Sequence, residues 1–290
     1  MTLHDVLASA INRLEAAPLV YGHGTTNARD EAIWLTLWRL GLPLDSDLDA
    51  IAKTPISAED AQAVAELVAR RIDSRLPAPY LTHEAWLQGI SFYVDPRAIV
   101  PRSFIAELIA DGGFDAWLSD KTRQVLDLCT GNGSLAVLAA MAWPEVEVTG
   151  ADISTDALAV AQINLQRHGL ADRITLLESD GLTACPGPWD LVLCNPPYVN
   201  AQSMAKLPAE YCAEPALALA GGTDGMDFIR QLLRDLPTRL SAQGVLVLEI
   251  GHERTHFEAA FPQLEVVWLP TSAGDDQVLL LTADTLRSLS

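Results

Sequence analysis

Asn195-Pro196-Pro197-Tyr198 closes the apolar run Asp190-Leu191-Val192-Leu193-Cys194. Two successive prolines lack an N–H and hold φ near −65°, so the carbonyls beside them point in fixed directions with no local donor. The Asn195 carboxamide offers an acceptor and two donors, and the Tyr198 ring offers a flat wall. Together the four residues suit a planar nitrogen-bearing group, a primary amide or an exocyclic amine. A rigid turn after a strand would use the same residue types. The motif therefore gains meaning only from what stands near it.

About sixty residues upstream, Gln124 to Cys129 reads as a short buried strand, Thr130-Gly131-Asn132-Gly133 as a tight loop, and Ser134 to Ala140 as the start of a helix. Gly131 and Gly133 permit φ > 0 and present no Cβ, so a cofactor can lie against the backbone at the carboxyl end of the strand. Gly131, Gly133 and Ala136 also satisfy the dinucleotide pattern G-x-G-x-x-A, which leaves a nicotinamide or flavin enzyme open. Asp152 ends the next strand, Glu147 to Ala151, where an acid can accept both hydroxyls of an adenosine ribose. Asp180 ends a third, Ile174 to Ser179, and is placed to accept from an adenine amino group. Either acid alone could equally cap a helix.

The fourth strand separates the cofactors. Hydride transfer has no use for an amide slot, whereas methyl transfer to nitrogen needs one. Asp127, inside the first strand, suits the amino end of S-adenosylmethionine or the hydrogen bonds that shape its loop, and a sulfonium tolerates nearby acids better than a pyrophosphate does.

These residues resemble the protein N5-glutamine methyltransferases of the HemK and PrmB type, from about Pro77 to the end. The likeness rests on Pro79-Tyr80-Leu81-Thr82-His83-Glu84-Ala85-Trp86, Phe92-Tyr93-Val94-Asp95, Val100-Pro101-Arg102, Leu126-Asp127-Leu128-Cys129-Thr130-Gly131, Asn195 to Tyr198, and Glu214-Pro215. Thr82 to Trp86 and Leu128 to Gly131 look like the PrmB branch, which methylates a glutamine of the third large-subunit ribosomal protein. The release-factor branch usually carries a short Tyr-x-x-Gly there. Ala213 departs from the PrmB pattern, which usually has His before the Glu-Pro pair. The resemblance implies that Asn195 and the Pro196 carbonyl bind the glutamine amide, that Tyr198 flanks it, and that Asp127, Cys129, Thr130, Gly131, Gly133, Asp152 and Asp180 hold S-adenosylmethionine beside Asn195. It also makes the helical N-terminal part a candidate recognition surface for the substrate protein.

With 290 residues, 49% of them hydrophobic, the chain can bury one full α/β domain and a smaller one. Helices are expected over Leu3 to Glu15, Ala28 to Leu40 and Ala58 to Arg75. A hairpin follows over Trp86 to Pro101. Later elements are a helix over Phe228 to Leu240, a strand over Gly244 to Gly251, a helix over His252 to Phe261, and an antiparallel pair, Glu265 to Thr271 with Gln277 to Thr282. The expected fold is α/β: a seven-stranded, class I (Rossmann-like) methyltransferase sheet with a small N-terminal helical domain and a connecting hairpin. The expected boundaries are 1–82, 83–102 and 103–290. Val199 to Asp227 is a long connection, expected to grip substrate or to be a flexible excursion. Arg102, directly after Pro101, reads either as a border of the cofactor pocket or, more simply, as a solvated or ion-paired arginine.

A net charge of −19 would repel a phosphate backbone and could steer a basic ribosomal protein, so direct nucleic-acid binding is disfavoured. No basic apolar leader and no run of about 20 apolar residues is present, which leads us to expect a cytoplasmic protein without a membrane span. Cys129, Cys185, Cys194 and Cys212 lack paired spacing, so free thiols and no metal are expected. The chemistry expected is orientation of a poor amide nucleophile. Rival readings are methylation of a release factor, of an adenine or guanine amino group on a flipped base, or an idle cofactor-binding partner protein.

Overall fold

The computed structural model describes residues 1–288, which fall into two compact units: Met1–Ala85 with Leu207–Ala213, and Trp86–Lys206 with the described residues from Glu214 onward.

The first unit is helical, with α1 (Leu3–Glu15), α2 (Ala28–Arg39), α3 (Leu48–Ile51), α4 (Ala58–Ser74) and α5 (Ala78–Thr82). Thr2 and Asp5 cap the start of α1 reciprocally, while Asn27 and Ser57 cap α2 and α4 through their side chains. Arg75, left-handed at φ 58°, ends α4. The apolar stripes meet in a core that includes Val6, Leu14, Leu35, Val64 and Val68.

Along the chain, α5 is followed by a hairpin, β1 (Ala85–Leu87) and β2 (Ile90–Phe92), turned by Gln88 and Gly89, both at positive φ. It is shorter than expected, because Tyr93 to Pro101 is irregular around Asp95, Pro96 and Arg97. There follow α6 (Ile105–Asp111), β3 (Gln124–Leu128), α7 (Ser134–Ala142), β4 (Glu147–Asp152), α8 (Thr155–Arg167), β5 (Ile174–Glu178) and β6 (Trp189–Cys194). Next come α9 (Ala201–Met204), α10 (Ala209–Cys212), α11 (Asp227–Asp235), β7 (Leu240–Glu249), α12 (Arg254–Ala260), β8 (Val267–Thr271), β9 (Gly274–Thr282) and α13 (Ala283–Arg287). α11 stops five residues before the expected end, with Pro237 just beyond it, and β7 begins at Leu240, paired with Trp189, rather than at Gly244.

The seven strands lie in the order β5-β4-β3-β6-β7-β9-β8, parallel except where β9 pairs antiparallel with β7 and with β8. Successive strand residues point to opposite faces. Val125, Leu191, Leu193, Val245 and Val247 pack with α6 and α7 on one face, and Leu126, Leu128, Val192, Leu246 and Leu248 pack with α11 and Phe257 on the other. Burial on both faces explains why these strands read as continuous apolar runs. The chain winds outward in both directions from β3 and β6, which creates a switch point, and ligands of such sheets bind beyond the carboxyl ends there.

The connection between Val199 and Asp227 is structured. It carries α9, α10 and a 3₁₀ turn at Ala216–Ala218, and its Leu207–Ala213 stretch belongs to the helical unit. There Glu210 is fully buried. Its Oε1 accepts from Arg75 Nε at 2.6 Å, from the Val20 amide at 3.1 Å and from Arg71 Nη1 at 3.3 Å, while Oε2 accepts from Arg75 Nη2 at 2.8 Å. Arg71 also donates to Glu31 at 2.8 Å. Burial would raise the Glu210 carboxyl, but the Arg75 and Val20 hydrogen bonds outweigh it and hold it at about 2.

Candidate active site

β3 and β6 are neighbours in register, Leu128 opposite Cys194, so the next residues, Cys129 and Asn195, emerge side by side at the switch point. With strands about 4.8 Å apart, the glycine loop and the Asn-Pro-Pro-Tyr segment open onto one crevice.

After β3 the chain turns sharply, with Cys129, Gly131 and Gly133 all at positive φ (62°, 55° and 80°). Gly133 is required twice over. A Cβ there would stand 3.0 Å from the Ala161 Cβ on α8, and its φ is one that side chains disfavour. Asp127 reaches under this loop. Its Oδ2 accepts from Thr130 Oγ1 at 2.5 Å and from the Ala136 amide at 2.9 Å. Its Oδ1 is buried with no hydrogen-bond partner. Burial, with the nearby Asp152 charge, pushes the carboxyl up to about 7, although the two donors pull the other way. Such an orphaned oxygen is costly unless a bound group supplies a donor, and a cationic amino group fits.

Asp152, at the end of β4, accepts from the Gly131 amide through Oδ2 and from the Ser154 amide through Oδ1, both at 2.9 Å. Each oxygen retains a lone pair for a ribose hydroxyl, and burial raises this carboxyl too. Asp180 lies two residues beyond β5, exposed, and Ser179 between them donates its amide to the Asp152 carbonyl at 2.9 Å. Cys129 hydrogen-bonds the Cys194 thiol, a contact that together with burial drives its pKa up, and all four cysteines are free thiols.

Asn195 is half-buried, and among the described residues no protein group hydrogen-bonds its carboxamide or the Pro196 carbonyl. Pro196 is buried and Pro197 half-buried. The Tyr198 hydroxyl donates to Glu249 at 3.4 Å, and burial and that carboxylate raise its pKa, so the phenol stays protonated.

Three participants are absent from the sequence reading. Asn164 on α8, fully buried, accepts from the Tyr93 amide at 2.7 Å and donates to the carbonyls of Tyr93 and Asn132 at 2.9 and 2.8 Å, tying the glycine loop to the chain after the hairpin. Its signal was a polar residue on the apolar stripe Ala157, Val160, Ala161 and Leu165. Ile153, apolar yet 47% exposed directly after Asp152, offers a flat base a surface. Glu249, buried at the end of β7, closes the apolar run Val245 to Leu248, the same signal that marked the other strand-end acids. Arg102 is ion-paired: it forks Glu214 with two 2.7 Å hydrogen bonds.

Comparison with known proteins decides the family. The chain is 52% identical to the ribosomal protein uL3 glutamine methyltransferase of Bordetella pertussis, over 99% of this chain and 97% of that protein. It belongs to the ribosomal protein uL3 glutamine methyltransferase family. The family's Burkholderia pseudomallei member is 48% identical over 100% of this chain and 97% of its own length. A family model, Methyltransferase small domain, matches residues 114–222. The hMettl16 catalytic domain, solved with a MAT2A 3'UTR hairpin, is 14% identical with TM-score 0.51 over 78% of this chain and 81% of that chain, and shows the shared fold. The chain is an S-adenosylmethionine-dependent methyltransferase with the class I sheet anticipated from its strand ends.

Proposed function

We propose that this protein transfers a methyl group from S-adenosylmethionine to the side-chain amide nitrogen of a glutamine in ribosomal protein uL3, acting in the cytoplasm. The observation that carries the reading is the unpartnered Asn195 carboxamide and Pro196 carbonyl, set at a strand end beside the glycine loop. Relatives named for this activity over almost their whole length support it.

When bound, the cofactor supplies a sulfonium methyl. Asp127 Oδ1 would take its amino group, the backbone of Cys129, Thr130, Gly131 and Gly133 would make room for it, Asp152 would receive the ribose hydroxyls, and Asp180 and Ile153 would meet the adenine. Asn195 also borders the cofactor. An amide nitrogen is a weak nucleophile because its lone pair is delocalised, so orientation is the main tool, contributing up to about 7–11 kcal/mol. Asn195 and the Pro196 carbonyl accept the two amide hydrogens and aim the lone pair. Pro197 stiffens the turn, and Tyr198 closes one side. The accepting dipoles also stabilise positive charge growing on nitrogen. The helical unit and the segment after Tyr198 are the natural candidates to grip the substrate protein, and the −19 charge suits a basic one.

The test is mass spectrometry of unmethylated uL3 and, separately, unmethylated release factor, each incubated with enzyme and cofactor. A methyl gained on a uL3 glutamine alone is the expected result. Gain on the release factor alone would overturn the substrate assignment, and gain on neither would favour a nucleic-acid amine.

A further inference from the structure

Tyr198 is held more tightly than a slot wall requires. Its backbone passes where Cβ atoms on Gly221 and Gly225 would intrude, the former lying 2.7 Å from the Tyr198 Cα. Its ring lies over Gly251, where a Cβ would stand 2.5 Å from Cε2 and 2.9 Å from Cζ. Gly251 follows β7 at φ 53°, so the turn that exposes its bare backbone to the ring also needs glycine. The hydroxyl then reaches Glu249 Oε1 at 3.4 Å. Glu249 is itself fixed from behind, because its Oε2 accepts from Ser103 Oγ at 2.6 Å and from the Phe104 amide at 2.9 Å. Two residues beyond Tyr198, Asn200 donates to Glu253 at 2.7 Å, so the acceptor segment is tied as well to the turn between β7 and α12.

We propose that Glu249, with Gly251 beneath the ring, is a positioning residue for methyl transfer: together they fix the Tyr198 ring and so set the lateral position of the amide held at Asn195. The proposal rests on the reading of Asn195 to Tyr198 as the acceptor slot. A buried carboxylate that served only the fold would be satisfied by Ser103 and Phe104. Here Oε2 takes both of those donors, and Oε1 accepts from the tyrosine. A ring free to tilt would let the amide slide, and a displacement of about 1 Å in a reacting pair can cost roughly 10²-fold in rate.

The experiment measures kcat and KM for uL3, and cofactor affinity by calorimetry, in Glu249→Ala, Glu249→Gln, Tyr198→Phe and the Glu249→Ala/Tyr198→Phe double variant. Glu249→Ala is expected to lower kcat by roughly 10- to 100-fold with cofactor affinity unchanged. In the Tyr198→Phe background the same change should cost no more than about 2-fold, since both act through one contact. Glu249→Gln should recover most of the activity, because its amide oxygen still accepts from Ser103 and Phe104 while the NH₂ meets the phenol oxygen. Equal losses in both backgrounds, or a parallel fall in cofactor affinity, would overturn the proposal. Should Glu249→Ala not fold, Ser103→Ala, which loosens the Glu249 carboxylate from behind, replaces it: its loss should vanish when Tyr198 is also phenylalanine, and persistence would refute the inference. Asn195→Ala runs alongside. If it is inactive while Glu249→Ala is unimpaired, the slot stands and this inference falls. If it is fully active, both fall.

Discussion

Asp127→Asn should make the cofactor-free protein more stable and a poorer cofactor binder at once. Asp127 is fully buried, its Oδ1 has no partner, and its carboxyl titrates near 7 against 3.8 for the free side chain. The folded state therefore keeps this proton longer than the unfolded state. Stability from the group is full below about pH 4, falls as pH rises toward 7, and stays low above that. At 1.36 kcal/mol per pH unit the ionised group costs about 4 kcal/mol at pH 8. The asparagine oxygen keeps the Thr130 and Ala136 donors, and its NH₂, lacking an acceptor, returns about 1–2 kcal/mol of that gain. A net gain of about 2–3 kcal/mol corresponds to a rise in Tm of about 5–10 °C. Thermal melts without cofactor at pH 5 and pH 8 should show the variant's advantage growing with pH. Calorimetry should show affinity for S-adenosylmethionine weakened roughly 10- to 150-fold, the value of a hydrogen bond to a charged group. Wild-type affinity should also fall about tenfold per unit below pH 7, because binding an ammonium there must release the proton. A variant melting at or below wild type at pH 8, or binding cofactor normally, would refute the assignment of Asp127 as a strained, ligand-awaiting acid.

Asn195→Ala should lower kcat by roughly 10²–10³, as removal of a preorganised dipole does elsewhere, with cofactor affinity retained in calorimetry. Asn164→Ala removes three hydrogen bonds that tie the glycine loop to Tyr93, and should weaken cofactor binding by at least about tenfold while leaving KM for uL3 near its original value. Arg71→Met leaves Glu31 and Glu210 short of a buried cation and should destabilise the helical unit by about 3–5 kcal/mol in urea titration. In the wild type the Glu210 carboxyl is held at about 2, so its contribution is present above about pH 4.5 and is lost as pH falls toward 2.

The central strands were legible because burial on both faces leaves unbroken apolar runs, and Gln124–Leu128 and Trp189–Cys194 emerge within a residue of expectation. Leu3–Glu15 emerges with the bounds expected, a helix long enough for its apolar period to show. Short helices such as Ile105–Asp111 and Ala283–Arg287 hold too few turns for a period to show, and they form through packing on the sheet. At the site, residues attached to strand ends were visible because each follows an apolar run. Asn164, Glu249 and Glu210 act across 71, 51 and 139 positions of sequence, on Tyr93, Tyr198 and Arg71, and no local pattern encodes such a partner.

The chain leaves its helical unit after Ala85, returns to it after Lys206, and leaves again after Ala213. The helical part is therefore not a detachable module. A protein cut after Ala85 would bury Arg71 without one of its neutralising carboxylates, and a protein begun at Trp86 would carry Glu210 with no guanidinium to meet. Swapping helical parts between relatives succeeds only if the seven residues Leu207–Ala213 travel with them, so the two stretches that make up the helical unit are expected to change together under selection although one is coded more than a hundred residues from the other.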